Sequence, residues 1–342
     1  MQEERGNNNG LNRRRFLQIF AVAGAAGALG FLPFTPEKSG LQVIRKSRPM
    51  MGTFLNLIVY ARDKEQAAAA VAATFKRMEE LESKLSRHQA ASEVSRLNQS
   101  GFLDNPGPEL QAVLELAQAI SRKTSGAFDI TILPLLTLYQ QQGQALLAQQ
   151  SLIDGAVKAV GQAGLAVSHQ RLELKKSGMG ITLDGIGKGY IVDQGVATLG
   201  QFGFDQVYVE AGGDLLVKGG KPRGNPWLIG IRNPRPEMAR QLVTIEAETM
   251  AVATSGDYYQ PFSPDLLHHH IINPHTGFSP PELASCTITA PDAALADALA
   301  TGCMVLGAAD SIDLLAGLPD CEGYFIHKDL TTRKTEGFAA RT

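Results

Sequence analysis

The stretch Ala296-Asp297-Ala298-Leu299-Ala300-Thr301-Gly302, entered through Thr289-Ala290-Pro291-Asp292, carries the strand-to-helix pattern on which the chain turns. Ser285–Ala290 is strand-like, Pro291 suits a helix start, and the Ala and Leu run reads as helix, so Asp297 and Thr301 fall four apart on one face. Their helical neighbours Ala293, Ala294 and Ala300 are all very small. A carboxylate ringed by alanines draws no solvation from its own helix, so another group must approach closely and balance it. Two hard oxygens one turn apart suit Mg²⁺, which is often held by few protein ligands plus substrate phosphate. The same residues also allow a structural role, with Asp297 paired to a distant Lys or Arg and Thr301 bonded back to a carbonyl.

Outward from this segment, short strand-like runs alternate with Gly-rich turns: Leu172–Leu174, Gly180–Leu183, Val207–Val209, Leu215–Val217, Trp227–Ile231, Leu242–Glu246 and Met250–Thr254. A helix over Gly189–Phe202 interrupts them. Nearer the N-terminus, Phe54–Tyr60 is strand-like and Asp63–Leu85 is a long amphipathic helix. Further helices are predicted over Pro108–Thr124 and near Asp154–Ala163. Gln140–Gln150 is a polar, glutamine-rich helix surface or loop. The mixture predicts an α+β chain with a largely antiparallel sheet and packed helices.

Asn12-Arg13-Arg14-Arg15-Phe16-Leu17-Gln18 precedes an apolar, Gly/Ala-rich stretch from Ile19 to about Pro33. Paired arginines before a short, mildly hydrophobic run mark twin-arginine export of a folded protein. The run falls short of the roughly 20 apolar residues of a bilayer span. Residues 1–35 are read as this signal and 36–47 as a linker. The expected location is periplasmic, with an inner-membrane anchor if the signal is retained. The chain is 44% hydrophobic, ample for a large core. A formal charge of −2, with no basic tract after the signal, argues against a nucleic-acid surface. Cys286, Cys303 and Cys321 lack CxxC spacing, which argues against a cysteine zinc site and allows at most one disulfide.

Leu183-Asp184-Gly185-Ile186-Gly187-Lys188-Gly189-Tyr190 leads from a strand-like run into a helix. Its glycines permit close ligand approach, and the helix start with Lys188 favours an anion such as phosphate; a tight turn with a solvated lysine is the equal alternative. It matches neither a P-loop nor a dinucleotide fingerprint. In Glu210-Ala211-Gly212-Gly213-Asp214, the carboxylates suit ribose hydroxyls or an adenine amino group, but taken alone the stretch reads first as a hairpin turn. Ser125-Gly126-Ala127-Phe128-Asp129 reads as a helix stop, a core aromatic and a cap. Thr254-Ser255-Gly256-Asp257-Tyr258-Tyr259 faces His268-His269-His270-Ile271-Ile272-Asn273-Pro274-His275-Thr276-Gly277 across a short loop. In a strand, His268 and His270 point to one side and His269 to the other. A histidine beside hydroxyls suits a general base; three adjacent extended histidines do not converge on one zinc ion.

Taken in order, these motifs resemble the ApbE family, together with Met51-Gly52-Thr53, Leu85-Ser86, and Ser92-Glu93-Val94-Ser95-Arg96-Leu97-Asn98. The resemblance spans about residues 48 to 330, so 48–342 is taken as one domain. Such proteins are FAD:protein FMN transferases, formerly labelled thiamine biosynthesis lipoproteins. The resemblance implies FAD in a cleft between subregions, with Mg²⁺ at its pyrophosphate. An acceptor-protein Thr or Ser hydroxyl attacks the FMN phosphorus and AMP leaves. It implies metal ligation by Asp297, Thr301 and the carbonyl of Gly185, with Lys188 beside the pyrophosphate. His270 is the implied proton acceptor. Met51, His88, Ala127, Phe128, Asp129, Thr182, Glu210, Gly212, Gly213 and Ser255 are assigned to the FAD site on the same basis. His88 stands where family members often have Tyr, Thr182 where Asp is usual, Asp184 where a small residue is common, and Asn273 where Asp is frequent. The implied acceptor is a membrane-anchored respiratory subunit. A metal-dependent FAD pyrophosphatase and a flavin-binding module without chemistry are the competing readings.

Overall fold

The computed structural model describes residues 40–235, 237 and 243–341. Gln42–Thr342 forms one compact unit. The signal expected over 1–35 lies outside the described residues, as does Leu242. Of the linker expected over 36–47, residues 42–47 are instead strand.

The strands are β1 (Gln42–Met50), β2 (Thr53–Ala61), β3 (Phe102–Asp104), β4 (Leu165–Val167), β5 (Arg171–Leu174), β6 (Val207–Ala211), β7 (Asp214–Lys218), β8 (Trp227–Ile231), β9 (Val243–Ala247), β10 (Met250–Gly256), β11 (Leu283–Ala290), β12 (Glu322–His327), β13 (Thr332–Lys334) and β14 (Ala340–Arg341). The α-helices are α1 (Lys64–Leu85), α2 (Glu93–Ser100), α3 (Pro108–Lys123), α4 (Leu133–Gln142), α5 (Gln150–Ala159), α6 (Gly187–Gln201), α7 (Ala293–Leu306) and α8 (Ala308–Ala316). An eight-stranded sheet runs β1-β2-β6-β7-β10-β11-β12-β13, antiparallel throughout. Two three-stranded sheets, β14-β9-β8 and β3-β5-β4, accompany it. The α+β expectation is met.

Period-two alternation splits the large sheet into two buried faces. Leu55, Leu57 and Val59 of β2, Val207 and Val209 of β6, and Ala251 and Ala253 of β10 join the core that contains α1, α6 and α7. The intervening Ile58, Tyr208 and Val252 lie under the small sheet around Trp227. β11, central and covered on both faces, is buried at every residue. Its residues are accordingly small or apolar, with Ser285, Thr287 and Thr289 buried among them.

Three expectations are corrected. Gly180–Leu183 joins no ladder: the Asn98 side chain bonds both the N–H (2.7 Å) and the carbonyl (2.8 Å) of Ile181, and the Thr182 N–H donates to the Ile130 carbonyl at 2.8 Å. The helix expected near Asp154–Ala163 starts earlier and ends at Ala159. The three histidines form no strand: Pro261 and His269 make an isolated bridge in an irregular loop. His269 is fully buried there, and its neighbours His268 and His270 are partly exposed.

Candidate active site

β7 starts at Asp214, α6 starts one residue before Lys188, and α7 packs on both, carrying Asp297 and Thr301. Lys188 Nζ lies 2.8 Å from Asp214 Oδ2 and 3.6 Å from Asp297 Oδ2. Both carboxylates are buried. Burial, then repulsion from Asp214, pushes Asp297 up to about 7, against the pull of Lys188 and the Gly189 N–H. Burial opposes the charged form of Lys188, but Asp214 and Asp297 outweigh it and raise its pKa. One ammonium thus serves two buried carboxyl groups, and their mutual repulsion favours a proton on Asp297.

Small residues permit this approach. A Cβ on Gly189 would fall 2.2 Å from the Ala293 carbonyl oxygen, and the Gly189 N–H donates to Asp297 Oδ2 at 3.2 Å. One turn beyond Asp297, Thr301 Oγ1 lies 3.3 Å from Ser255 Oγ at the end of β10. A Cβ on Gly185 would meet that Thr301 hydroxyl at 2.9 Å. Phe128 packs beneath, its ring 3.5 Å from the same point. Lys188, Gly185, Asp297, Thr301, Ser255 and Phe128 are therefore neighbours, although they come from four separate segments.

His270 stands within electrostatic reach of Lys188 and Asp184. Burial, then Lys188, lowers it to about 4 while Asp184 opposes, so the imidazole is neutral at neutral pH. Its Nδ1 is buried without a hydrogen-bond partner. The loop carrying it is tied by Asp257, fully buried, which accepts two bonds from Arg235 at 2.9 and 2.8 Å and faces Lys328 at 3.5 Å.

A second cluster joins the first through Asp214. Glu210 accepts from Asn56 Nδ2 and from the Gly213 N–H (2.7 Å), so its carboxylate shapes the Gly212-Gly213 turn; burial raises its pKa. Thr53 packs on Gly212. Met51 and Gly52, both at positive φ, form the two-residue turn before Thr53, and Glu82 accepts from the Met51 N–H at 3.1 Å. The Tyr259 hydroxyl would meet a Cβ on Gly213 at 3.4 Å.

Other assigned residues serve the chain itself in this structure. Asp129 accepts from the Thr131 N–H and hydroxyl and from the Gln162 N–H, at 2.8, 2.6 and 3.1 Å. Ala127 is buried, and Thr182, also buried, accepts from the Asp184 N–H at 3.2 Å. Asp184 points outward to Arg87 Nε at 2.8 Å, and the exposed His88 ring reaches it at 4.0 Å. Sequence reasoning missed Asn56, Arg235, Tyr259 and Asp193, whose partners are distant in the chain; only Asp193 had a local signal, four residues after Gly189 on the same helix face.

The sequence model of the ApbE family matches residues 51–325. The FAD:protein FMN transferase of Treponema pallidum (strain Nichols) is 29% identical over 316 residues, covering 85% of this chain and 86% of that protein. That of Escherichia coli (strain K12) is 30% identical over 270 residues, covering 75% and 76%. The crystal structure of the ApbE protein from Thermotoga maritima superposes with a TM-score of 0.77 at 28% identity, covering 87% of this chain and 98% of that one.

Proposed function

The chain belongs to the ApbE family, and we propose from that membership and from the geometry above that it transfers FMN from FAD to a Thr or Ser hydroxyl of an acceptor protein, releasing AMP. The observation that carries the mechanistic reading is the Asp214–Lys188–Asp297 centre, with the Thr301 and Ser255 hydroxyls beside it and a neutral His270 within electrostatic reach.

Among the described residues, no group of three or more His, Cys, Asp or Glu side chains is arranged to hold a metal ion. The donor set suits Mg²⁺ differently: the Asp297 carboxyl, the Thr301 hydroxyl and the Gly185 carbonyl are hard oxygens, few in number, and a bound cation would favour the ionised form of Asp297. When bound, the ion supplies charge neutralisation on the pyrophosphate oxygens. Lys188 contributes a second positive charge there. His270 takes the proton of the acceptor hydroxyl as its oxygen bonds to the FMN phosphorus and the bond from that phosphorus to AMP breaks. An anionic substrate beside His270 raises its pKa toward the range where a general base works best. Glu210, Gly212, Gly213, Met51 and Ser255 line the approach for FAD, with Ala127, Phe128, Asp129, Thr182 and His88 framing it.

The proposal extends to location. The twin-arginine segment is read as exporting the folded protein to the periplasm, where a membrane-anchored redox subunit is the acceptor. The test is intact mass of a candidate acceptor domain after incubation with FAD, Mg²⁺ and either wild type or Asp297→Ala. A gain of one FMN with wild type alone supports the proposal. FAD consumed without any gain favours hydrolysis to FMN and AMP, and intact FAD with several acceptors overturns both enzyme readings.

A further inference from the structure

We infer that Asp193 is a positioning residue for the metal-binding oxygens, acting as a clamp from α6 on the first turn of α7. The inference rests on the metal-dependent reading above. The first N–H groups of any α-helix lack partners within it. In α7 the residue at the cap position, Asp292, makes no side-chain cap bond. Asp193, on another helix, accepts from the Ala293 N–H at 2.7 Å and from the Ala294 N–H at 2.9 Å. Both bonds are short; burial pushes the Asp193 carboxyl up to about 7, and the Ala294 and Ala293 N–H groups pull against that rise.

Their placement gives them a functional consequence. Gly189 and Asp193 lie four apart on one face of α6, as Ala293 and Asp297 do on α7. The Asp193 end is held by the two cap bonds. The other end carries the Gly189-to-Asp297 bond and the Lys188 ion pair. The proposed donors are divided between the same two elements: Asp297 and Thr301 ride on α7, whereas Gly185 lies two residues before α6. Any slack between the helices separates the Gly185 carbonyl from the two side chains. A residue that removes this slack therefore sets metal affinity without touching the metal or the substrate.

The test compares wild type with Asp193→Ala, Asp193→Asn and Asp292→Ala. The last removes a carboxylate from the same helix start without removing a cap bond. Mn²⁺ binding is followed by electron paramagnetic resonance in the presence of FAD, alongside the Mg²⁺ dependence of FMN transfer and thermal unfolding. Asp193→Ala is expected to raise the half-saturating Mn²⁺ and Mg²⁺ concentrations by about tenfold, the scale seen when a residue supporting metal ligands is lost. The kcat at saturating metal stays close to wild type. Asp193→Asn, keeping one acceptor oxygen, falls between, and Asp292→Ala matches wild type. A lower melting temperature with unchanged metal titration in both Asp193 variants makes the role merely structural and overturns the inference. If wild type itself binds no Mn²⁺ with FAD present, the metal-dependent reading has failed instead.

Discussion

Substituting Gly189 by Ala tests the α6–α7 contact most directly. The new Cβ would fall 2.2 Å from the Ala293 carbonyl oxygen, 2.5 Å from its carbonyl carbon and 2.7 Å from Ala294 Cα, all backbone atoms. Close carbon-to-oxygen contacts settle near about 3.3 Å, so the helices must part by about 1 Å. Overpacking of this kind costs about 1–3 kcal/mol. Stretching the two Asp193 bonds adds about 0.5–1.5 kcal/mol each. The same displacement moves Asp297 and Thr301 away from Gly185, and an error of about 1 Å in positioning reacting groups costs about 100-fold in rate. Denaturant unfolding followed by circular dichroism and initial rates of FMN transfer read the two consequences separately. Gly155→Ala is the control: Gly155 is exposed on α5 with nothing within 4 Å of the new methyl, so helix propensity predicts a gain of about 0.5–1 kcal/mol. If Gly189→Ala unfolds within roughly 0.5 kcal/mol of wild type and transfers FMN at its rate, the tight helix contact is not what holds the centre.

Replacing Lys188 by Met leaves Asp214 and Asp297 facing each other without a cation, at a cost of about 3 kcal/mol; thermal unfolding is expected to show a larger stabilisation by Mg²⁺ in this variant than in wild type, and an equal response would contradict the metal reading. Arg235→Met strips the fully buried Asp257 of its two-pronged partner and leaves Lys328, at 3.5 Å, as its cation, costing about 2–3 kcal/mol. Limited proteolysis is then expected to cut within residues 258–268, and wild-type resistance would show that this ion pair does not hold the loop. His269 and His270 are lowered from 6.5 to about 3 and about 4, mainly by burial. The unfolded chain therefore takes up protons that the folded one refuses, so their stabilisation is complete above about pH 6.5 and drains away as pH falls toward 4. Melting temperatures between pH 7 and 4 read this loss, and a His269→Gln variant with an equally steep decline would contradict it.

Much of the fold was legible because burial on regular elements leaves periodic traces. Trp227–Ile231 appears with the same bounds in sequence and structure, and Asp63 caps α1 at the edge of its apolar stripe. Gly180–Leu183 misled because an apolar run looks the same whether its backbone is met by a strand or by the side chain of Asn98. The roles of Glu210 and Asp129 were ambiguous for a related reason. A carboxylate that braces a turn and one that awaits a ligand share one letter, and only their partners, Asn56 and Gly213 or Thr131 and Gln162, separate them.

By itself, the sequence determined the α+β class, the pairing of Asp297 with Thr301 on one helical face, and the ordered motifs that resemble the ApbE family. Each depends on residues close in the chain or on their order along it. Tertiary structure alone decided that one lysine serves both Asp214 and Asp297, that Asp193 caps a helix 100 residues away, and that burial keeps His270 neutral. Those properties arise from charge, distance and desolvation between segments, and such terms exist only once the chain has folded them together.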